Sequence, residues 1–444
     1  MSATSFERLF RVRERGSSVR TECLAGVTTF LTMAYILFVQ PAVLKDAGMD
    51  DKAVFIATAV GSAVATLVMA FLANYPIALA PAMGHNFFFA YAVCVGMKIP
   101  WQVALGANFI SSVLFLLLST VKFREKIFDA VPTGLKHAIA AGIGLFIAFI
   151  GLKWSGIVVT HPVTSVTLGS LKSPPTLLAL AGLVITAALM ARKVRGALLL
   201  GILATLAIGL VSGLVKFQGV IGVPRPERSA ILQLDILGAL KLGFATIIFT
   251  FFLLAIFDTV GTLIGVSQQA GFIRNGKLPG CGRALMSDAI GTTVGTLLGT
   301  STITAYIESA AGVAAGGRTG LANVVTAALF LGSLLFAPLV AMVGAGVTVA
   351  GASAPLYPVT APALIIVGFL MARSALEIPW DDASEAIPAF LTLAGIPLTY
   401  NIADGIGLGF ISYVLLKALT GKFRDISWVS LAIAGAFIAH FALK

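Results

Sequence analysis

The stretch "TITAYIESAAGVAAGGRTG" (Thr302–Gly320) decides how this chain of 444 residues is interpreted. It opens on threonines and an isoleucine, whose β-branched side chains favour an extended strand. A single carboxylate, Glu308, then stands among small residues and is followed by a cluster of glycines. Because the stretch lies within a long apolar region, it predicts a membrane span broken into a short strand and a half-helix. Glu308 falls on the first turn of that half-helix, where free N–H groups favour an anion or a polar ligand.

The composition of the whole chain places this stretch in a lipid bilayer. Hydrophobic residues make up 58% of the sequence and charged residues only 11%, whereas about a quarter of a soluble domain is charged. Apolar stretches long enough to cross a bilayer core recur throughout. The fold class is therefore an all-α polytopic membrane protein. The predicted spans are 24–44, 53–73, 75–95, 101–121, 136–154, 176–191, 197–216, 244–266, 284–300, 303–316, 320–343, 360–373, 387–400 and 402–419, and 427–442 is either a further span or an interfacial segment.

The net charge of +11 indicates orientation and not a nucleic-acid partner. Most of the 30 lysines and arginines fall in loops on one side of the predicted membrane, which by the positive-inside rule is the cytosol. The N-terminus is predicted on that side. The three cysteines and four histidines are too widely spaced for a disulfide framework or a metal site. We therefore expect no metal and no cofactor.

An internal repeat relates the two halves of the chain. The segment "ATAVGSAVATLV" (57–68) aligns with "SDAIGTTVGTLL" (287–298), with five of twelve positions identical. A unit with an odd number of spans forces its second copy to insert upside down. The sequence thus predicts 14 spans as a 7+7 inverted repeat, an arrangement in which transporters bind substrate near the midplane.

Breaks occur at corresponding places in the two halves. Span 3 begins "YPIALAPAMGHN" (75–86), whose closely spaced prolines prevent a continuous helix. Span 10 is broken by its threonine-rich start. Each break is predicted to supply a short strand before a half-helix. Two such strands can pair and so satisfy backbone groups that lipid cannot.

Two carboxylates within spans are the leading candidates for the functional site. Asp258 lies in the middle of span 8, and Glu308 follows the break in span 10. An ionisable group at such depth costs roughly 2.5–3.5 kcal/mol on insertion scales and by default indicates function. The structural alternatives are a carboxylate hydrogen-bonded to a neighbouring helix for Asp258, and an N-terminal cap for Glu308. Both residues are predicted to bind substrate and to couple transport to protons.

Further candidates surround these carboxylates. Asn86, after the break in span 3, could bind a ligand or satisfy the broken backbone, and Phe87 could stack on a planar ring or simply pack. His85 and Tyr35 stay open in the same way. Asp288 and Asp404 are interpreted as caps or interhelical hydrogen-bond partners. Carboxylates that accept N–H bonds, an amide and aromatic faces together suit a flat heterocycle with several N–H donors.

Five motifs resemble a known family, the Azg-type hypoxanthine/guanine/adenine permeases of the nucleobase–cation symporter-2 group, which share the nucleobase–ascorbate transporter fold. They are "TMAYILFVQP" (32–41), "IALAPAMGHNFFFAY" (77–91), "FDTVGTL" (257–263), "YIESAAGVAAGGRTGL" (306–321) and "IPAFLTLAGIPLTYNIADGI" (387–406). The resemblance covers residues 5–425. It implies proton-coupled purine uptake by an elevator-like movement of a core domain against a gate domain, commonly in a homodimer. It also implies a bacterial-type inner membrane as the location.

The resemblance divides the chain into core and gate parts. Spans 1–4 and 8–11 would form the core, and spans 5–7 and 12–14 the gate. The predicted segments are 1–23 (cytosolic N-terminal segment), 24–121 (core, first part), 136–216 (gate, first part), 217–243 (connector), 244–343 (core, second part), 360–419 (gate, second part) and 420–444 (C-terminal segment).

The site residues carry over by position. The family's span 8 acid falls at Asp258, its span 10 acid at Glu308 and its span 3 amide at Asn86. The predicted substrate-binding set is completed by Thr262, which lies in the motif of span 8, and by His85, Phe87 and Tyr35. The family usually has Gly-Leu-Asn-Ala-Phe-Phe where this chain has "GHNFFF" (84–89), which leaves the preferred purine open.

Alternative functions differ in substrate or in class. The same fold could carry uracil, xanthine, ascorbate or a small anion such as bicarbonate or sulfate, but two acidic groups would repel an anion. A membrane-embedded enzyme would need clustered metal ligands or a nucleophile with a base, and neither is found. A channel would give currents that do not saturate with substrate. The absence of a GxxxxGK[ST] loop argues against ATP-driven transport. Protons, and not sodium ions, are the expected coupling ions.

Overall fold

The computed structural model describes residues 5–119, 131–226, 229–241, 245–273, 278–349 and 355–443. The predicted segment ends at 1, 121, 243, 244 and 444 lie outside these residues. Its helices are α1 Ser5–Phe10, α2 Val19–Met33, α3 Ile36–Asp46, α4 Asp51–Val68, α5 Met83–Phe87, α6 Trp101–Ser119, α7 Thr133–Trp154, α8 Pro174–Ala191, α9 Ala197–Val211, α10 Ile236–Ala239, α11 Ala245–Gln269, α12 Cys281–Leu298, α13 Ser309–Ala314, α14 Gly320–Gly332, α15 Ala337–Val343, α16 Ala361–Ala372, α17 Ala383–Thr399, α18 Ile402–Leu419 and α19 Trp428–Leu443.

Four short strands and a few tighter or wider helical turns complete the described chain. The strands are β1 Leu79–Pro81, β2 Val158–His161, β3 Ser165–Leu168 and β4 Ile303–Ala305. Segments Met69–Ala73 and Phe88–Gly96 are π-helical, and Ser333–Leu335, Arg373–Glu377 and Phe423–Asp425 are 3₁₀-helical. Among the described residues, seven helical stretches are long and apolar enough to cross a membrane. The protein is thus mainly helical and of the membrane type that the composition predicts.

Spans 3 and 10 are broken as the sequence predicts. β1 precedes α5 in span 3, and β4 precedes α13 in span 10. The two strands pair antiparallel, with Leu79 opposite Ala305 and Pro81 opposite Ile303. Since these strands are buried in an apolar region, their pairing satisfies backbone groups that have no access to water. The prediction that the two breaks supply each other's hydrogen bonds is confirmed.

Helices α4 and α12, which carry the aligned repeat segments, hold these strands in place. The Thr66 hydroxyl of α4 both donates to the Leu79 carbonyl and accepts from the Leu79 N–H, each at 3.0 Å. On α12, the Asp288 carboxylate accepts from the Ala305 N–H at 2.9 Å and from the Thr259 hydroxyl at 2.7 Å. Asp288 is fully buried. Its predicted role as an interhelical hydrogen-bond partner is confirmed.

The first long helix begins earlier than the predicted span. Ser18 caps α2 by accepting a hydrogen bond from the Thr21 N–H, so the helix starts at residue 19 and includes Glu22. The Glu22 carboxylate is buried and accepts from the backbone N–H groups of Arg318 (2.9 Å) and Thr319 (3.2 Å), just before α14. The sequence interpretation left Glu22 among the loop carboxylates because it placed the start of the span at residue 24. Glu22 therefore accepts hydrogen bonds from the backbone N–H groups that lead into α14.

Two further features differ in detail from the sequence interpretation. Asp404 lies in the first turn of α18, but Asn401 is the residue that caps this helix. A β-hairpin that the sequence analysis did not identify, β2–β3, connects α7 to α8. The predicted connector 217–243 contains the short helix α10, Ile236–Ala239, and residues 217–226 within it carry no helix.

We predict that Asp288→Ala destabilises the protein, because it leaves the buried Ala305 N–H and the Thr259 hydroxyl without this acceptor. Each buried unsatisfied group costs about 1–3 kcal/mol, so the loss of both partners should lower the free energy of unfolding by about 2–6 kcal/mol. Thermal unfolding of the detergent-solubilised protein measures the loss. The control is Asp235→Ala, which removes an exposed cap of α10 and should cost about 1 kcal/mol. Equal losses in the two variants would contradict a special role for Asp288.

Candidate substrate site

Glu308 lies at the point where β4 gives way to α13. It occupies the position before the first residue of this half-helix, but its side chain makes no capping hydrogen bond. Instead, Oε1 accepts a 2.6 Å hydrogen bond from the Tyr35 hydroxyl. Tyr35 is buried at the interruption between α2 and α3. The carboxylate is therefore held by a residue from the first half of the chain and does not cap the half-helix through its side chain.

Asp258 reaches the same strand from α11. Its Oδ2 accepts a 3.0 Å hydrogen bond from the hydroxyl of Thr304, in β4. The Asp258 side chain is 38% exposed and that of Glu308 is half-buried, while the β4 residues between them are buried. Thr304, which holds Asp258, and Glu308 are four positions apart along the chain. The structure thus places two accessible acidic groups around one end of β4.

The other predicted residues lie near these carboxylates in different settings. The Nδ1 atom of His85 is 3.8 Å from the Asp258 Oδ2 atom, beyond hydrogen-bond distance, and the imidazole is buried. Thr262 lies one turn after Asp258 on α11 and is half-buried. Phe87 is fully buried and stacks on Tyr91, with ring centroids 5.7 Å apart. In this structure Phe87 packs on a neighbouring aromatic ring.

Asn86 is part of a buried chain of hydrogen bonds. The Ser301 hydroxyl donates to Asn86 Oδ1, and Gln40 Nε2 donates at 3.0 Å to the hydroxyls of both Ser301 and Thr300. All four side chains are fully buried. At the two ends of this series of hydrogen bonds, the Asn86 Nδ2 and Gln40 Oε1 atoms have no hydrogen-bond partner among the described residues. An unpaired buried polar atom costs about 1–3 kcal/mol, so a ligand or a water that pairs with either end would be stabilised.

Sequence reasoning missed three of the residues that build this site. Gln40, Ser301 and Thr304 hold Asn86 and Asp258 through their side chains. Gln40 could have been noticed as a polar residue within an apolar span. Nothing in the sequence distinguishes Ser301 and Thr304 from the other hydroxyl residues of the broken span, because their roles depend on how the two halves meet.

A family model and two relatives match nearly the whole chain. The model described as "Permease family" (Xan_ur_permease) matches residues 20–408. The chain is 44% identical over 441 residues to the adenine permease AdeQ of Escherichia coli (strain K12), an alignment that covers 99% of this chain and 96% of that protein. It is 43% identical over 424 residues to the guanine/hypoxanthine permease PbuO of Bacillus subtilis (strain 168), covering 94% and 96%.

A solved structure matches the fold. The transmembrane domain of the cyanobacterial bicarbonate transporter BicA superposes with a TM-score of 0.61 at 14% sequence identity, covering 87% of this chain and 97% of that domain. At that identity the likeness concerns the fold alone. The matched relatives are named as transporters and not as enzymes. The resemblance to the Azg-type purine permeases is confirmed, and the chain belongs to the Xan_ur_permease family of integral membrane permeases.

Proposed function

We propose that this protein imports purine nucleobases (hypoxanthine, guanine or adenine) together with protons. The observation that carries the proposal is the meeting of Asp258 and Glu308 at one end of β4, where both side chains are accessible. Two relatives at 43–44% identity are named as permeases of adenine and of guanine and hypoxanthine, which supports the substrate class.

The chemistry of the site suits a neutral, nitrogen-rich ring. Carboxylates accept hydrogen bonds from N–H groups, and bonds to charged partners are roughly twice as strong as those between neutral groups. Asp258 and Glu308 would each accept a ring or exocyclic N–H of a purine. One oxygen of each carboxylate already accepts a hydrogen bond, Asp258 Oδ2 from the Thr304 hydroxyl and Glu308 Oε1 from the Tyr35 hydroxyl. The remaining lone pairs of each carboxylate would accept from the substrate.

The hydrogen-bond chain through Ser301 would let Asn86 serve two kinds of purine. In the direction observed, Gln40 donates to Ser301 and Ser301 donates to Asn86, so that the Asn86 amide has N–H donors to spare. If the side-chain amides of Gln40 and Asn86 flip and the Ser301 hydroxyl rotates, Asn86 donates to Ser301 and Ser301 donates to Gln40. The Asn86 oxygen is then free to accept a hydrogen bond from the substrate. A 6-oxo purine presents an acceptor where adenine presents an amino donor. One site could then accept either.

Coupling to protons follows from the two acidic groups. A carboxylate with a like charge nearby and little water around it favours its protonated form, whereas a hydrogen bond from a hydroxyl favours the ionised form. Glu308, which is held by Tyr35, would carry the proton inward with the substrate and release it to the cytosol. Sodium coupling is the alternative that the experiment below tests.

The transport cycle would be of the elevator type. In the proposed topology the 14 spans form a 7+7 inverted repeat in the inner membrane, with the N-terminus in the cytosol. Residues 24–121 and 244–343 would form the core, 136–216 and 360–419 the gate, and the protein would work as a homodimer. The antiparallel pairing of β1 with β4, one strand from each half, supports the repeat. The broken spans would move with the core and carry the substrate across the membrane.

A carrier of uracil, xanthine or a small anion with the same fold is the second candidate. The structural similarity to a bicarbonate transporter suggests an anion as substrate, but this similarity concerns the fold only. The observation against it is electrostatic, because Asp258 and Glu308 would repel an anion at the centre of the site. A pyrimidine or xanthine would meet the same acceptors, so a competition panel of nucleobases must separate those substrates.

We predict that Asp258→Asn and Glu308→Gln each abolish concentrative uptake of labelled hypoxanthine, because Asp258→Asn removes a charged acceptor for a substrate N–H and Glu308→Gln removes the group that carries the proton. The amounts of protein in the membrane should stay at the wild-type level. Uptake into cells that lack other purine permeases is the measurement. Asp381→Asn, which changes an exposed loop carboxylate, is the control and should transport normally. Wild-type uptake in both site variants would remove these residues from the site.

We further predict that a protonophore collapses uptake by the wild-type protein in proteoliposomes, whereas removal of sodium has no effect. Because glutamine cannot carry a proton, Glu308→Gln should lose net uptake yet retain exchange of labelled for unlabelled hypoxanthine, which needs no net proton movement. Asp258→Asn should lose both activities. Uptake that follows sodium, or an identical loss in the two variants, would contradict the assignment of the proton to Glu308.

A third prediction concerns the choice between purines. Ser301→Ala cuts the chain between Gln40 and Asn86, so the orientation of the Asn86 amide is no longer fixed by its neighbours. The ratio of adenine to hypoxanthine inhibition constants should change about five- to tenfold, the equivalent of one hydrogen bond of about 1 kcal/mol. Ser287→Ala removes a buried hydroxyl that bonds only within its own helix and should leave the ratio unchanged. An unaltered ratio in Ser301→Ala would refute this function of the chain.

A further inference from the structure

A cavity lies apart from the two carboxylates Asp258 and Glu308. Its volume is about 500 Å³, and none of the predicted substrate-binding residues lines it. Its lining residues include one carboxylate, one ammonium group and four large aromatic rings: Asp46, Lys153, Tyr91, Trp154, Tyr357 and Tyr400. In the proposed topology these residues all lie toward the outer face of the membrane, between the core and the gate.

The polar and aromatic groups of this cavity are held in defined positions. The Asp46 carboxylate, at the end of α3, accepts hydrogen bonds from the hydroxyls of Tyr91 (2.7 Å) and Tyr357 (3.3 Å). The Lys153 ammonium lies 5.1 Å from the centre of the Tyr400 ring. Each polar group therefore borders an aromatic ring, so that a bound ring could stack and form hydrogen bonds at once.

A layer of aromatic rings connects the lining of the cavity to the half-helix of span 3. This aromatic layer consists of Phe87, Tyr91, Phe146 and Tyr400. Phe87 stacks on Tyr91 at 5.7 Å, Tyr91 meets Tyr400 edge-on at 6.3 Å, and Phe146 meets Tyr400 edge-on at 5.2 Å and Phe87 at 6.3 Å. Asn86 lies directly before Phe87 in the chain. Tyr91 and Tyr400 of the layer thus line the cavity, and Phe87 of the layer adjoins Asn86, one of the predicted substrate-binding residues.

The chemistry of the cavity selects a class of ligand. Its volume falls within the range of about 300–1,000 Å³ that is typical of small-molecule sites. Aromatic faces stack on flat rings, Asp46 accepts from N–H groups, and Lys153 donates to a ring nitrogen or a carbonyl oxygen. Because the two charges are opposite, the cavity is not acidic like the inner site and suits a neutral heterocycle that offers both donors and acceptors.

We propose that this cavity is a second, outer binding site for a purine nucleobase, which is occupied before the aromatic layer opens toward Asp258 and Glu308. The proposal rests on the proposed function for its substrate and for the direction of transport. A purine that bonds to Asp46 would compete with the 3.3 Å hydrogen bond from Tyr357, the longer of the two. It would thereby weaken the contact between Asp46 of the core and the segment that leads into the second part of the gate.

Binding of labelled hypoxanthine to the full-length protein in lipid nanodiscs tests the outer site. The wild-type protein should bind two molecules per chain. Asp258→Asn should keep the outer site, and Lys153→Gln or Asp46→Asn should keep the inner one. Loss of a hydrogen bond to a charged group should weaken outer binding at least about tenfold. The control is Lys98→Gln, an exposed lysine that does not line the cavity and should bind two molecules.

The outcomes separate this proposal from the proposed function. If the wild-type protein takes up hypoxanthine but binds only one molecule, and if Lys153→Gln and Asp46→Asn bind and transport as the wild type does, the outer site is refuted while the proposed function stands. If the wild-type protein neither binds nor transports purines, both proposals fail. Retention of one Asp258-dependent site in Lys153→Gln shows that the variant is folded.

Discussion

The antiparallel pairing of β1 with β4 is the constraint on which the rest of this structure depends. A span that stops being helical within a bilayer exposes backbone groups that lipid cannot satisfy. Here one interrupted span satisfies the other, and Thr66, Thr292 and Asp288 complete the bonds from the two helices alongside. Neither break would be tolerable without its counterpart. The pairing is thus a requirement of the fold before it is a feature of the site.

The residues of the candidate site are brought together by this pairing of β1 with β4. The residues that end β4 bring Thr304 to Asp258, and the interruption of the first long helix brings Tyr35 to Glu308. The hydroxyl groups that precede β4 reach across to Asn86 and Gln40. Polar side chains from both halves therefore gather where the backbone is irregular, because small and hydroxyl-bearing residues permit the strand pairing and supply the hydrogen bonds around it.

The sequence predicted the broken spans because proline spacing and β-branched runs are local signals. It also predicted that Asp258, Glu308 and Asn86 would be central, since polar groups at membrane depth are few. The sequence could not predict which residues form hydrogen bonds with these side chains. The bond from Tyr35 to Glu308 joins residues 273 positions apart, and no local pattern encodes that contact. The helix start at Val19 was also missed, because the Ser18 cap lies outside the apolar run, and with it the internal role of Glu22.

The position of Phe87 explains why the sequence left open whether its ring stacks on a ligand or only packs. Its ring belongs to a closed cluster with Tyr91, Phe146 and Tyr400, so in this state it contributes to packing between parts of the chain that the resemblance assigns to core and gate. If those parts move as proposed, Phe87 would exchange these neighbours for others. In this account the aromatic layer is the barrier on one side of the carboxylate site, and its opening exposes that site to the cavity bounded by Asp46 and Lys153.

The measurement that tests the central claim most directly is an experimental structure of the protein with hypoxanthine bound at saturating concentration. The account predicts that one purine lies beside β4, with a ring N–H about 2.7–3.0 Å from a carboxylate oxygen of Asp258 and another at a similar distance from Glu308. A purine bound only elsewhere, or one that contacts neither carboxylate in the inner site, would contradict the account.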